Sequence, residues 1–152
     1  MALLILYVEV NIIYDICLVM IFAFVKVTYN KRYLPISLVI CLQKYFKIKN
    51  IKDACNDCAE SCELCATSCL REQDVDMLER CIQLDRDCAT VCWTASQLMS
   101  RDSEFVKQIC NACAELCDAC AEECEKHQLM EHCKLCAQAC RKCAEECRNM
   151  AT

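Results

Sequence analysis

The stretch CNACAELCDACAEEC, residues 110–124, places cysteine at 110, 113, 117, 120 and 124. The steps are three, four, three and four. This is the repeat that keeps one stripe of an α-helix turned toward a partner helix. Cys55, Cys58, Cys62, Cys65 and Cys69 step in the same way, as do Cys133, Cys136, Cys140, Cys143 and Cys147. Between them most positions are charged or Ala. The inner stripe of each helix, normally Leu and Ile, is therefore cysteine.

A fourth stripe is sparser. From Cys81 the register runs through Asp85, Cys88, Cys92, Ala95 and Met99, so a carboxylate occupies an inner position where a thiol is expected. Leu84 beside it offers an apolar replacement if the helix rotates slightly. Four helices follow, over about residues 52–70, 74–99, 102–126 and 128–150. The breaks fall at Asn50, Glu72-Gln73-Asp74, Ser100-Arg101-Asp102-Ser103 and Lys126-His127-Gln128, all polar or capping sequences. Short connections force antiparallel neighbours. The expectation is all-α: an antiparallel up-down-up-down four-helix bundle with a Cys-lined core. Each five-Cys stripe spans about 21 Å at the usual helical rise.

Composition agrees. The chain of 152 residues has 20 Cys, no Gly and one Pro, which suits long helices better than hairpins and loop-rich folds. Charge divides it into an apolar N-terminal extension, residues 1–50, with net charge +4, and a Cys-rich bundle, residues 51–152, with net charge −9. An acidic domain repels phosphate backbones, so nucleic acid is not an expected partner. No nucleophile, base and orienting group converge in the pattern, so an enzyme is not expected either.

A core built of thiols has competing explanations. As plain packing it is poor, because Cys is small and leaves a weakly filled bundle. Disulfide staples belong to loop-rich secreted domains rather than to one stripe of regular helices. Zinc or an iron–sulfur cluster is the alternative metal reading, since C-x2-C-x3-C-x2-C suits both superficially. Yet each ZnS4 unit carries two negative charges into the core, and ferredoxin runs sit on loops ending in Cys-Pro. Cu(I) is soft, prefers thiolate and accepts low coordination. If each thiolate bridges two ions and each ion takes two thiolates, the ratio is one to one and the buried cluster is neutral. The expected ligands are Cys55, Cys58, Cys62, Cys65, Cys69, Cys81, Cys88, Cys92, Cys110, Cys113, Cys117, Cys120, Cys124, Cys133, Cys136, Cys140, Cys143 and Cys147, with His127 added because it continues the third stripe. His127 reads equally as a helix C-cap. With Met77, Met130 and His132 it gathers at one pole, the candidate entrance for copper. Met99 and Met150 gather at the other, better read as core plugs.

Residues 52–150 resemble the copper storage proteins, a bacterial family of Cys-rich four-helix bundles. The resemblance rests on Cys62-Glu-Leu-Cys-Ala-Thr-Ser-Cys-Leu, Cys81-Ile-Gln-Leu-Asp-Arg-Asp-Cys-Ala, Cys113-Ala-Glu-Leu-Cys-Asp-Ala-Cys-Ala-Glu-Glu-Cys-Glu-Lys-His and His132-Cys-Lys-Leu-Cys-Ala. It implies Cu(I) storage without turnover, a homotetramer of bundles, and exchange with a copper chaperone. With no Arg-Arg pair near its start, the chain resembles the cytoplasmic type rather than the exported one. Residues 1–50 fall outside the resemblance. Glu9, Asn11 and Asp15 interrupt their apolar run, and Ile16 to Val25 is about half of a membrane span. Three readings stand for them: a translation start set upstream of the native one, a membrane anchor with Lys26, Lys31 and Arg32 on the cytoplasmic side, or an extra soluble helix.

Overall fold

The computed structural model describes residues 36–151, and the expectations for the apolar run at residues 2–25 lie outside them. Four α-helices follow one another: α1 (Ile36–Cys69), α2 (Glu79–Ser100), α3 (Val106–Cys124) and α4 (Glu131–Ala151). One-turn 3-10 helices, Val75–Leu78 and Glu125–His127, lead into α2 and out of α3. Among the described residues there is no strand, and no helix is long and apolar enough to cross a membrane. Lys44–Thr152 forms one compact unit.

The sulfur contacts fix the topology. Cys55 near the start of the cysteine stripe of α1 meets Cys147 near the end of α4 at 3.6 Å, and Cys69 at the end of α1 meets Cys133 at the start of α4 at 4.0 Å. Cys92 late in α2 meets Cys113 early in α3 at 3.5 Å, and Cys81 early in α2 meets Cys124 at the end of α3 at 3.6 Å. Each of these pairs runs antiparallel. Alanines flank the thiol stripe on the buried side, among them Ala59, Ala66, Ala89, Ala121 and Ala144, all fully buried. Small flanking side chains let the helix axes approach closely, which brings thiols on different helices within 4 Å.

Helix α1 departs from expectation. It does not start near residue 52 but runs unbroken from Ile36, and Asn50 caps nothing. Residues 36–51 contain neither Gly nor Pro. Once a helix is nucleated, adding a residue is nearly neutral, and a single Asn costs only several tenths of a kcal/mol. Helix α4, conversely, begins at Glu131, after a turn through 128–130.

The α2–α3 turn solves a problem set by the absence of Gly. Asp102 takes the left-handed conformation, φ 49°. Its N–H donates to the Met99 carbonyl at 3.2 Å and the Ser103 N–H to the Leu98 carbonyl at 3.1 Å. These are the two bonds of a Schellman cap. Asp is one of the few non-Gly residues that enter this region readily. Ser103 Oγ then accepts the Phe105 N–H at 3.3 Å at the entry to α3.

Outside, charged pairs tie α3 to α4. Arg141 donates to Glu125 at 2.9 and 2.8 Å and to Asp118 at 3.1 Å, and Arg148 reaches Asp118 at 2.9 Å. Exposed pairs contribute roughly 0.2–1 kcal/mol each, so this network orients more than it stabilises.

Candidate metal centre

All eighteen cysteines from Cys55 to Cys147 are buried, seventeen with no exposure and Cys81 with 1%. Cys41 is exposed, and every described cysteine is a free thiol. Sulfurs from all four helices interleave along the axis. Among their contacts are Cys143–Cys55 at 3.7 Å, Cys92–Cys143 at 3.8 Å, Cys88–Cys117 at 3.5 Å, Cys58–Cys140 at 3.6 Å and Cys136–Cys62 at 3.6 Å. These are contacts between thiols, well beyond the roughly 2.05 Å of a disulfide.

The grouping of donors bears most on the chemistry. Four-sulfur sets with all members within 4.8 Å of one another include Cys58/Cys62/Cys88/Cys140, Cys58/Cys88/Cys92/Cys117 and Cys62/Cys120/Cys136/Cys140. Cys58, Cys88, Cys62 and Cys140 each belong to two of these sets. Separate tetrathiolate sites require separate sets, since a terminal ligand serves one ion. Shared members instead suit thiolates that bridge neighbouring soft ions. Cys55/Cys113/Cys143/Cys147 forms a further set toward the other end. Burial and hydrogen bonding keep thiols such as Cys92 and Cys140 protonated: bonds from Cys113 and Cys120 respectively, followed by desolvation, push both well up. At these positions metal uptake releases protons.

Asp85 occupies the inner position expected from the register and is fully buried. The neighbouring arginines pair elsewhere: Arg80 donates to Glu123 at 3.0 Å and Arg86 lies 2.8 Å from Glu63. Thiols surround the carboxyl instead. Cys120, Cys136 and Cys124 donate to Oδ1 at 3.1, 3.3 and 3.5 Å, and Cys81 lies 3.8 Å from Oδ2. Burial, above all, pushes the carboxyl up to about 8. Leu84 packs at the margin of the core and does not take the inner position.

The two imidazoles separate in role. His132 Nε2 lies 3.5 Å from Cys69 Sγ, in a set with Cys65 and Cys133. His127, placed among the ligands on stripe counting, has a buried Nε2 with no hydrogen-bond partner, 3.9 Å from Glu123 Oε1. Glu123 is itself held by Arg80 at 3.0 Å and Lys126 at 2.7 Å, which lower its pKa. An orphaned buried nitrogen is costly unless something binds it. His132 was legible as a pole residue, but counting from Cys133 left it off the stripe. Its contact with Cys69 depends on where α1 ends. Met77 is exposed, and Leu78 turns inward in its place. Met130 is partly buried against the core. At the opposite pole Ile51, Met99 and Val106 are buried and Met150 packs against them as part of the same core.

A helical bundle whose interior is thiol from end to end, with shared four-sulfur sets, belongs to the class of high-capacity soft-metal binders. Residues 44–152 match the family model described as copper storage protein, and the chain belongs to that family. It is similar to the Cu(I)-bound copper storage protein BsCsp3, at 46% identity, covering 70% of this chain and 99% of that one with a TM-score of 0.67. A cytosolic copper storage protein from Streptomyces lividans, with five coppers, is 36% identical, with 69% and 92% coverage and a TM-score of 0.67. The uncharacterized cysteine-rich protein YhjQ of Bacillus subtilis (strain 168) is 50% identical over 75 residues, 49% of this chain and 69% of its own length.

Proposed function

We propose that this chain stores Cu(I) in the bundle interior, at about one ion for each of the eighteen thiols between Cys55 and Cys147. The observation that carries this is the sharing of Cys58, Cys62, Cys88 and Cys140 between neighbouring four-sulfur sets. With each thiolate bridging two ions, the S⁻ and Cu⁺ charges cancel, and the loaded core avoids the desolvation penalty of buried net charge. Family membership and the Cu(I)-loaded relatives support the same cargo. Ions are bound and released without chemical turnover. Storage takes place in the cytoplasm, as for the Streptomyces relative.

Copper enters at the pole that holds His127, Met130, His132, Cys69 and Cys133. Thioether and imidazole bind Cu(I) more weakly than bridging thiolates do, so an ion handed over there by a copper chaperone moves inward. Burial of Ile51, Met99 and Val106 closes the opposite pole. The bundles assemble as a homotetramer, for which the exposed apolar side chains Leu64, Leu135 and Trp93 provide surface. The storage domain is Lys44–Thr152, and residues before it are not required for binding.

Anaerobic titration of the reduced protein with Cu(I) against a chromophoric chelator tests the stoichiometry. The expected endpoint is roughly 18 equivalents per chain. Saturation near four or five equivalents would mean isolated tetrathiolate sites and refute bridging.

A further inference from the structure

The donor set at the His pole differs in composition and setting from the four all-cysteine sets described above. Cys65, Cys69, Cys133 and His132 have ligand atoms mutually within 4.8 Å. Cys65–Cys133 is 3.8 Å, Cys69–Cys133 4.0 Å and Cys69–His132 Nε2 3.5 Å. A tetrahedral ion with metal–sulfur bonds of about 2.3 Å and a metal–nitrogen bond of about 2.05 Å has S···S edges of roughly 3.8 Å and S···N edges of roughly 3.5 Å. These three of the six edges lie within about 0.2 Å of those values, and the other three are under 4.8 Å.

Charge points the same way. A divalent ion on four thiolates carries a net charge of −2, and the lumen sets are wholly buried. Three thiolates and a neutral imidazole halve that charge. The imidazole side chain is 15% exposed, so the site borders water. The other imidazole nitrogen faces a carboxylate: His132 Nδ1 lies 3.9 Å from Glu72 Oε1, and the Glu72 side chain is 40% exposed. A carboxylate behind a ligating histidine fixes its tautomer and orientation and raises its basicity.

We infer that Cys65, Cys69, Cys133 and His132 form a tetrahedral Cys3His site for one divalent ion of the zinc class at the mouth of the thiol tube, with Glu72 as the positioning residue for His132. The ion engages three thiols that Cu(I) also uses. Zinc bound there caps the tube, and Cu(I) must displace it to enter. The site is a property of the copper-free protein and stands whether or not the lumen stores copper.

Reduced full-length protein is titrated anaerobically with Co(II), whose ligand-field bands report coordination geometry, and then with Zn2+ against a chromophoric chelator. One tight equivalent per chain is expected, with tetrahedral visible bands and thiolate charge transfer in the near ultraviolet. His132→Gln should shift the bands and weaken binding at least tenfold. Glu72→Gln should weaken binding by roughly 10- to 100-fold without moving the bands. Cys41→Ser, which removes the exposed thiol that belongs to none of these sets, should retain the single equivalent. Should His132→Gln lose its helical circular dichroism, the exposed Glu72 variant carries the test. No tetrahedral bands, or tight binding unaffected by both the His132 and Glu72 variants, would overturn the assignment. So would saturation only after several tight equivalents per chain, which would place divalent ions in the lumen.

Discussion

Asp85→Asn isolates the contribution of one buried carboxyl in a core of thiols. Asn keeps the size and an acceptor oxygen but cannot ionise. In the folded apo-domain the Asp85 carboxyl is pushed from an ordinary 3.8 to about 8, above all by burial. Above about pH 4 the unfolded chain therefore loses a proton that the folded chain keeps. The contribution of this group to stability is fully present below about pH 4 and disappears as pH climbs through about 8. Each pH unit inside that window is worth roughly 1.4 kcal/mol, so the whole window amounts to on the order of 5 kcal/mol as a ceiling. Urea unfolding of reduced, copper-free protein at pH 5, 6, 7 and 8, followed by far-ultraviolet circular dichroism, measures it. Wild-type stability should fall relative to Asp85→Asn by about 1 kcal/mol per pH unit across that range. Parallel profiles for the two proteins would show that the carboxyl is ionised in the folded core, and the account of its environment would fail. If copper affinity and its pH dependence are also unchanged in the variant, Asp85 is a structural part alone.

Three further outcomes follow from the same geometry. A core of Cys and Ala buries little apolar volume and metal binds only the assembled tube, so the melting temperature should rise steeply on Cu(I) loading; equal midpoints for apo and loaded protein would mean the thiols are not ligands. Replacing His127, Met130 and His132 with Ala should slow loading from a Cu(I)–chelator complex in stopped-flow and leave final capacity nearly intact; slowing on replacement of Met99 and Met150 instead would invert the tube. Asp102→Val should destabilise the apo-domain by about 1–2 kcal/mol in urea, because a β-branched residue resists the left-handed conformation, whereas Asp102→Gly should stay within about 1 kcal/mol of wild type.

How much of this was legible beforehand depends on the range of the interaction concerned. The three-four step of the cysteines belongs to a single helix. It sufficed to place each thiol on a buried stripe and to put Asp85 among them, while the short connections gave the antiparallel order. The ends of helices were less legible where no breaker marks them. Asn50 has the composition of a cap, yet α1 passes through it, because continuing a formed helix requires no special sequence. Met77 and Leu78 are both apolar at the start of α2, and only the 3-10 turn decides that Leu78 faces inward.

By itself the sequence determined the thiol stripes, the absence of glycine turns, the acidic exterior and the buried carboxyl, since these follow from local periodicity and composition. Which sulfurs share a layer is a matter of axial stagger between helices, and stagger is set by turn geometry such as the left-handed Asp102 and by the close approach that flanking alanines permit. The double membership of Cys58, Cys62, Cys88 and Cys140 and the placing of His132 against Cys69 therefore exist only in the tertiary structure. Periodicity fixes the direction in which a side chain leaves its helix, but the height at which it meets its partners depends on the other three helices.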